Sequence, residues 1–100
     1  MTEIDKEEFD ELMMKEDEEF ILMFHADWAA PSVELFKELM GYDEKTLYVI
    51  DVQEHPEAAL ICGVRGVPTL VHVKNGDIMK SQTGYVAGES INELLRIPEE

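Results

Sequence analysis

Cysteine is almost absent from this chain of 100 residues, and Cys62 is the only one. A single cysteine excludes an internal disulfide framework and any metal site that is built from several cysteines. The three histidines, His25, His55 and His72, fall on separate predicted elements without the spacing of metal ligands. The acidic run at 16–19 is typical of a solvated connector and not of a ligand cage. We therefore expect no metal site and no cofactor.

Basic side chains are also scarce, with 8 lysines and arginines against 23 aspartates and glutamates and a formal net charge of −15. A field of this sign repels phosphate backbones and anionic lipid surfaces, so we expect neither nucleic acid nor membrane as a partner. The acidity is compatible with a basic partner or a high-salt setting, but solvated helix faces are the simpler explanation.

The chain has no apolar run near the ~18 residues that a membrane span requires. Its start, MTEID, lacks the basic and apolar blocks of a signal peptide, which predicts a cytoplasmic protein. With 45% hydrophobic and 31% charged residues, the composition is that of a soluble globular protein. Residues 1–100 suffice for a single domain with one core, and a monomer is the expectation for a domain of this size.

Helical and strand-like patterns alternate along the sequence. Asp5 and Glu8 have the spacing of a capping box, which predicts that the first helix begins at about Lys6. The continuous apolar run at 20–25 is typical of a central strand that is buried on both faces. The predicted elements, in order, are a short strand at 2–4, a helix at 6–14, a strand at 20–25, a helix from 31 or 32 to 40, a strand at 47–52, a helix at 55–62, strands at 67–73 and 78–83, and a last helix at 90–96.

The order of these elements predicts a mixed sheet. Strand–helix–strand connections require parallel pairing, whereas the Asn75-Gly76 pair between two extended segments predicts an antiparallel hairpin. Lys80 and Gln82 suit a strand at the edge of the sheet. The economical architecture is an α/β fold, in which a four- to five-stranded mixed sheet lies between two helix layers.

Three separated motifs carry a resemblance to a known family. Segment 24–32 reads FHADWAAPS, segment 64–70 reads VRGVPTL, and segment 74–77 reads KNGD and is followed by Gly84. In this order and spacing they resemble three features of the thioredoxin family: its Trp-Cys-x-Pro-Cys loop, its cis-proline loop, and its hairpin with the glycine that follows. The resemblance spans about residues 20 to 95 and implies the thioredoxin fold.

The resemblance places Ala29 at the position of the family's nucleophilic cysteine and Ser32 at that of its resolving cysteine. In the family, the first thiolate is stabilised at a helix N-terminus and attacks a target disulfide, and the second cysteine resolves the mixed disulfide. A methyl group cannot attack sulfur, and a serine hydroxyl is a poor nucleophile without an adjacent base. We therefore expect no dithiol–disulfide exchange from the chain as it stands.

Two further departures from the family concern proton transfer. The family's buried aspartate beneath the cysteines corresponds to Met23, and the lysine that often accompanies it corresponds to Val49. An apolar pair avoids the cost of a buried, unpaired carboxylate. A cysteine-bearing form would lack this internal base, so its exchange is expected to be slower or differently tuned, but not abolished.

The resemblance also implies that the family's substrate groove is retained. Pro68 is expected to follow a cis peptide bond, with the Val67 backbone N–H and C=O turned outward to pair with an extended peptide. The other residues implied at the rim are Trp28, Ala30, Pro31 and Gly84. The alternative is that Trp28 and Val67 are ordinary half-buried residues without a binding role.

Several other side chains have both a functional and a structural interpretation. His25 and Ser32 form a conceivable hydrolase pair, but we expect no acidic orienter or oxyanion motif beside them. Cys62 is interpreted as a small buried hydrophobic residue and not as an exposed reactive thiol. His72 alternates with valines and is interpreted as a hydrogen-bonded structural histidine.

Two functions from different classes follow. The first, which the intact loops favour, is a thioredoxin-type protein thiol–disulfide oxidoreductase in a redox-dead form, with its two cysteines deliberately replaced by Ala29 and Ser32. Its parent would reduce disulfide-containing protein substrates with electrons from a thioredoxin reductase. The second is a naturally redox-inactive thioredoxin-like module, which binds extended protein segments and catalyses nothing.

Overall fold

Strands and helices alternate through the described residues, 1–41 and 46–85, of this computed structural model. The elements are β1 (Thr2–Glu3), α1 (Lys6–Met14), β2 (Glu19–His25), α2 (Ala30–Leu39), β3 (Leu47–Asp51), α3 (Pro56–Ile61), β4 (Thr69–Lys74) and β5 (Asp77–Thr83). All of these elements were predicted, and each observed end lies within two residues of the predicted one. The helix predicted at 90–96 lies outside the described residues.

The strands form one five-stranded sheet in the order β1-β3-β2-β4-β5. The central strand, β2, pairs in parallel with β3 and antiparallel with β4. At one edge β1 is parallel to β3, and at the other β5 is antiparallel to β4. The predicted mixed sheet is thus confirmed, with five strands.

Two apolar clusters lie on opposite faces of this sheet. Successive side chains of β2 alternate between the two faces, so the strand is buried on both. The first cluster joins β2 to α1 and α3 and includes Phe9, Phe20, Leu22, Phe24 and Ala58. The second joins β2 to α2 and includes Ile21, Met23, Leu35 and Leu39. The helices therefore form two layers, as predicted, with α2 on the side opposite α1 and α3.

The first helix begins at the predicted capping box. Asp5 Oδ1 accepts a hydrogen bond from the Glu8 backbone N–H at 2.8 Å, and Glu8 Oε1 accepts one from the Asp5 N–H at 3.1 Å. Two N–H groups at the helix start that would otherwise lack a partner are thereby satisfied.

The hairpin between β4 and β5 turns at Asn75 and Gly76, as the sequence predicts. Their φ angles are 54° and 79°, and two consecutive positive values are the signature of a type I′ turn. Asn75 Oδ1 also accepts a hydrogen bond from the Asp17 backbone N–H at 2.8 Å, which ties the hairpin to the loop before β2. Close by, His72 Nε2 lies 2.6 Å from Glu19 Oε2, which confirms the structural role predicted for this histidine.

Candidate protein-binding site

The candidate site lies where β2 ends and α2 begins. Ala29 is the N-cap of α2, although its side chain makes no capping hydrogen bond, and Pro31 lies in the first turn, where its missing N–H costs nothing. Trp28, Ala30 and Pro31 are exposed, whereas Ala29 is 9% exposed and Ser32 is completely buried. Both positions that the resemblance assigns to cysteine are therefore enclosed by protein.

Ser32 is held in place by two hydrogen bonds. Its Oγ lies 2.7 Å from His25 Nδ1 and accepts a hydrogen bond from the Ala26 backbone N–H at 3.1 Å. The other ring nitrogen of His25, Nε2, lies 2.9 Å from Asp27 Oδ1. Since a carboxylate oxygen only accepts, Nε2 carries a proton here, and in the neutral ring Nδ1 accepts the Ser32 hydroxyl proton. Asp27, His25, Ser32 and Ala26 thus form one continuous chain of hydrogen bonds.

The expectation that His25 has no acidic orienter is wrong, because Asp27 takes that place. Serine, histidine and aspartate are the residue types of a hydrolase triad. Ser32 Oγ is nevertheless inaccessible to a substrate, since the residue is fully buried and the oxygen already bonds Ala26 N–H. Asp27 lies in the turn after β2, so no strand spacing predicts this contact.

The His25 ring is also fixed by packing. It stacks on the Phe36 ring of α2, with 4.8 Å between the ring centroids and an angle of 27° between the planes, and only 6% of the residue is exposed. The imidazole therefore lies between the end of β2 and the body of α2, with both of its nitrogens engaged.

Trp28 and Val67, which belong to different predicted motifs, line the same cavity of about 170 Å³. Trp28 remains 67% exposed, and the peptide bond between Val67 and Pro68 is cis, as expected. The other residues that line the cavity are Val52, Ala59, Val64, Arg65 and Gly66. The cavity is thus mostly apolar and carries one charged residue, Arg65.

The backbone of Val67 is not engaged by the rest of the described chain. No hydrogen bond within that part of the chain involves its N–H or C=O. The groups around it are held, however, because the Thr69 hydroxyl donates to the Gly66 carbonyl at 2.6 Å and the Gly84 N–H donates to the Pro68 carbonyl at 2.8 Å. Among the described residues, therefore, one backbone donor and one backbone acceptor of this loop have no partner, whereas the groups next to them are hydrogen-bonded.

Cys62 lies at the end of α3 and is only 7% exposed, which confirms its interpretation as a small buried residue. Burial raises the pKa of its thiol from 9.0 to about 11. The reactive form of cysteine is the thiolate, so a thiol that stays protonated at neutral pH does not supply a nucleophile.

In the described part of the chain, no group of three or more histidine, cysteine, aspartate or glutamate side chains is placed to hold a metal ion. Nor is any helix there long and apolar enough to cross a membrane.

Comparison with known proteins identifies the family. The sequence model of the family described as Thioredoxin matches residues 1–96. This chain belongs to the thioredoxin family. The thioredoxin of Rhodospirillum rubrum is 30% identical to it over 101 residues, which cover 95% of this chain and 96% of that protein. The thioredoxin of Bacillus subtilis is 33% identical over 78 residues, which cover 72% of this chain and 74% of that protein.

Solved structures confirm the thioredoxin fold that the motifs predict. A mutant thioredoxin from Halobacterium salinarum superposes with a TM-score of 0.76 at 28% identity, covering 95% of this chain and 86% of that one. The thioredoxin of Malassezia sympodialis superposes with a TM-score of 0.77 at 22% identity, covering 94% and 87%. The chain is thus a relative of the thiol–disulfide oxidoreductases of this family, which in general act on protein substrates and are served by thioredoxin reductase.

Proposed function

We propose that this chain is a redox-inactive member of the thioredoxin family that binds extended segments of other proteins and performs no dithiol–disulfide exchange. The observation that carries the proposal is the backbone of Val67, which forms no hydrogen bond within the described part of the chain and shares a cavity with the exposed ring of Trp28. Binding of this kind is strand addition, in which main-chain hydrogen bonds supply affinity and pockets for side chains supply specificity. Ala30, Pro31, Pro68 and Gly84 complete the proposed binding surface.

The cavity between Trp28 and Val67 suits one side chain of such a segment. At about 170 Å³ it is smaller than the roughly 300–1,000 Å³ of pockets that enclose whole small-molecule ligands. It is close to the size of an apolar cavity, about 150 Å³, that accepts benzene in another protein. A benzyl or branched aliphatic side chain next to the backbone that pairs with Val67 would therefore fill it.

Exchange chemistry has no starting group at this site. A thiolate must attack one sulfur of the target disulfide, form a mixed disulfide and expel the other sulfur as a thiolate. Ala29 offers a methyl group for the attack, and Ser32 is fully buried in its hydrogen bonds. Cys62 is buried and protonated at neutral pH. We therefore propose binding without covalent chemistry. We also propose that the chain acts as a monomer in the cytoplasm.

A second candidate is a thioredoxin-type oxidoreductase in which the cysteines at positions 29 and 32 have been replaced. It is favoured by the cis peptide bond at Pro68 and by the intact turn around Trp28 and Pro31. On this hypothesis the variant Ala29→Cys/Ser32→Cys reduces the disulfides of insulin with electrons from a thioredoxin reductase. A folded variant that does not reduce insulin contradicts this hypothesis. So do alanine and serine codons at positions 29 and 32 of the genomic sequence.

Selection from a peptide library displayed on phage, followed by titration of one synthetic selected peptide, tests the binding proposal. Amide NMR signals of Val67 and the Trp28 indole signal should shift on titration. Trp28→Ala should weaken binding about tenfold or more, as expected for an exposed aromatic anchor. The matched control is Met14→Ala, at an even more exposed apolar position on α1, which should leave the affinity unchanged. Selected peptides whose shifts map away from Val67, or whose affinity is insensitive to Trp28→Ala, overturn the proposal.

A further inference from the structure

We propose that Asp27, His25 and Ser32 form a polar relay that holds the turn before α2 in one conformation, and that His25 and Ser32 are a matched pair. In thiol-bearing members of the family, a disulfide between the positions of Ala29 and Ser32 can bridge this turn. Here hydrogen bonds bridge it instead. The inference concerns the turn itself and stands whether or not the groove binds a peptide.

Every buried polar side-chain atom of the relay has a hydrogen-bond partner. Ser32 Oγ accepts from the Ala26 N–H and donates its own proton to His25 Nδ1. His25 Nε2–H donates to Asp27 Oδ1, whose side chain is 83% exposed and keeps the far end of the relay in water. In the described part of the chain, no buried side-chain nitrogen or oxygen lacks a partner. A fully satisfied buried network of this kind rigidifies its surroundings and selects one arrangement.

The relay joins both sides of the turn. His25 is the last residue of β2, Ala26 and Asp27 lead into the turn, and Ser32 lies in the first turn of α2. The stack of His25 on Phe36 adds a second contact between strand and helix. In the sequence, Trp28 lies between Asp27 and Ser32, which both belong to the relay. The position of the proposed binding surface therefore depends on the relay.

A cysteine at position 32 does not fit this arrangement. A thiol is a weak donor and its sulfur a weak acceptor, and sulfur is larger than oxygen. A distance of 2.7 Å to His25 Nδ1 leaves no room for it. Ser32→Cys would therefore leave the Ala26 N–H and His25 Nδ1 with poorer partners in a completely buried site, where an unsatisfied group is costly. Serine is thus the residue that a histidine at position 25 requires, and it is not a neutral substitute for cysteine.

A double-mutant cycle on folding stability tests the match. In the chain as given, Ser32→Ala and Ser32→Cys should each lower the ratio of folded to unfolded protein about tenfold, since each leaves buried polar groups without a good partner. His25→Phe keeps the stack on Phe36 but removes the ring nitrogens. In the His25→Phe background, Ser32→Cys should lower the ratio of folded to unfolded protein less than about threefold. A chain whose cysteine had simply been exchanged for serine gives the opposite result, because Ser32→Cys would then be neutral or stabilising with His25 present.

A measurement on the unmutated chain covers the case in which these variants fail to fold. The ¹⁵N signals of the His25 ring should show Nε2 protonated and Nδ1 as a hydrogen-bond acceptor. Asp27→Ala changes an exposed residue and should shift this tautomer balance, whereas Glu11→Ala, at an exposed position on α1, should not. A ring protonated on Nδ1, or a ring unaffected by Asp27→Ala, overturns the relay.

Discussion

Met23 lies directly beside Val49 on the neighbouring parallel strand, and the two side chains are 0% and 2% exposed. Both belong to the apolar cluster beneath α2. The thioredoxin resemblance assigns these positions to a buried aspartate and a lysine, so the place where the family keeps an internal base is filled here by packed hydrocarbon and a thioether. This sequence thus has neither a carboxylate–lysine pair at positions 23 and 49 nor a sulfur at positions 29 and 32.

The first prediction is that the site of Met23 and Val49 does not tolerate an aspartate at position 23. Met23→Asp should lower the free energy of unfolding by at least about 3 kcal/mol, because a buried charge is left unpaired and apolar packing is lost. Adding Val49→Lys should restore part of the loss. Urea denaturation measures both effects. Met14→Asp, at a position 82% exposed, is the control and should cost less than about 1 kcal/mol. Similar losses for Met14→Asp and Met23→Asp would contradict the assignment of Met23 to the core.

Much of the fold was predictable because its signals are local. The capping box of Asp5 and Glu8 and the turn at Asn75 and Gly76 each depend on a few consecutive residues, and both have the predicted geometry. The unbroken apolar run at 20–25 likewise required a strand covered on both faces, and β2 is that strand.

The interior of the site was less predictable because its contacts depend on how the turn folds. No spacing rule states that the first turn of α2 brings Ser32 Oγ to within 2.7 Å of His25. Asp27 follows the strand, so the strand pattern does not predict that its side chain returns to the His25 ring. By contrast, the cis-proline motif did predict a Val67 backbone that is turned outward, and within residues 1–41 and 46–85 neither its N–H nor its C=O forms a hydrogen bond.

The second prediction separates the serine–histidine–aspartate set from a hydrolase. A fluorophosphonate probe should not label Ser32, since the hydroxyl is fully buried and already bonded to the Ala26 N–H. Mass spectrometry of the native protein after long incubation measures the labelling. Labelling that disappears in Ser32→Ala would show that the site opens and would contradict the structural role given to this residue.

The third prediction compares two glycines with similar backbone angles. Gly76 has φ 79°, and a Cβ there would lie 2.7 Å from the Met13 carbonyl oxygen, whereas Gly63 has φ 68° and open space around it. Gly63→Ala should therefore cost only the backbone strain, about 1 kcal/mol, while Gly76→Ala adds a clash with main chain and should cost about 2 kcal/mol or more. Thermal unfolding of the two variants measures the difference. Equal losses would show that α1 does not pack against the hairpin in this way.

The fourth prediction concerns the alkaline limit of stability. The pKa of the Cys62 thiol is about 11 in the folded chain and 9.0 when exposed, so the unfolded chain releases this proton first as the pH rises. The contribution of Cys62 to the free energy of unfolding should be constant below pH 9 and should fall between pH 9 and 11. Urea denaturation of the unmutated chain and of Cys62→Ala across this range isolates the effect, because every other titrating group is common to both. A stability difference that does not change with pH would mean that the thiol ionises equally well in the folded protein, and native Cys62 would then react readily with iodoacetamide at pH 8.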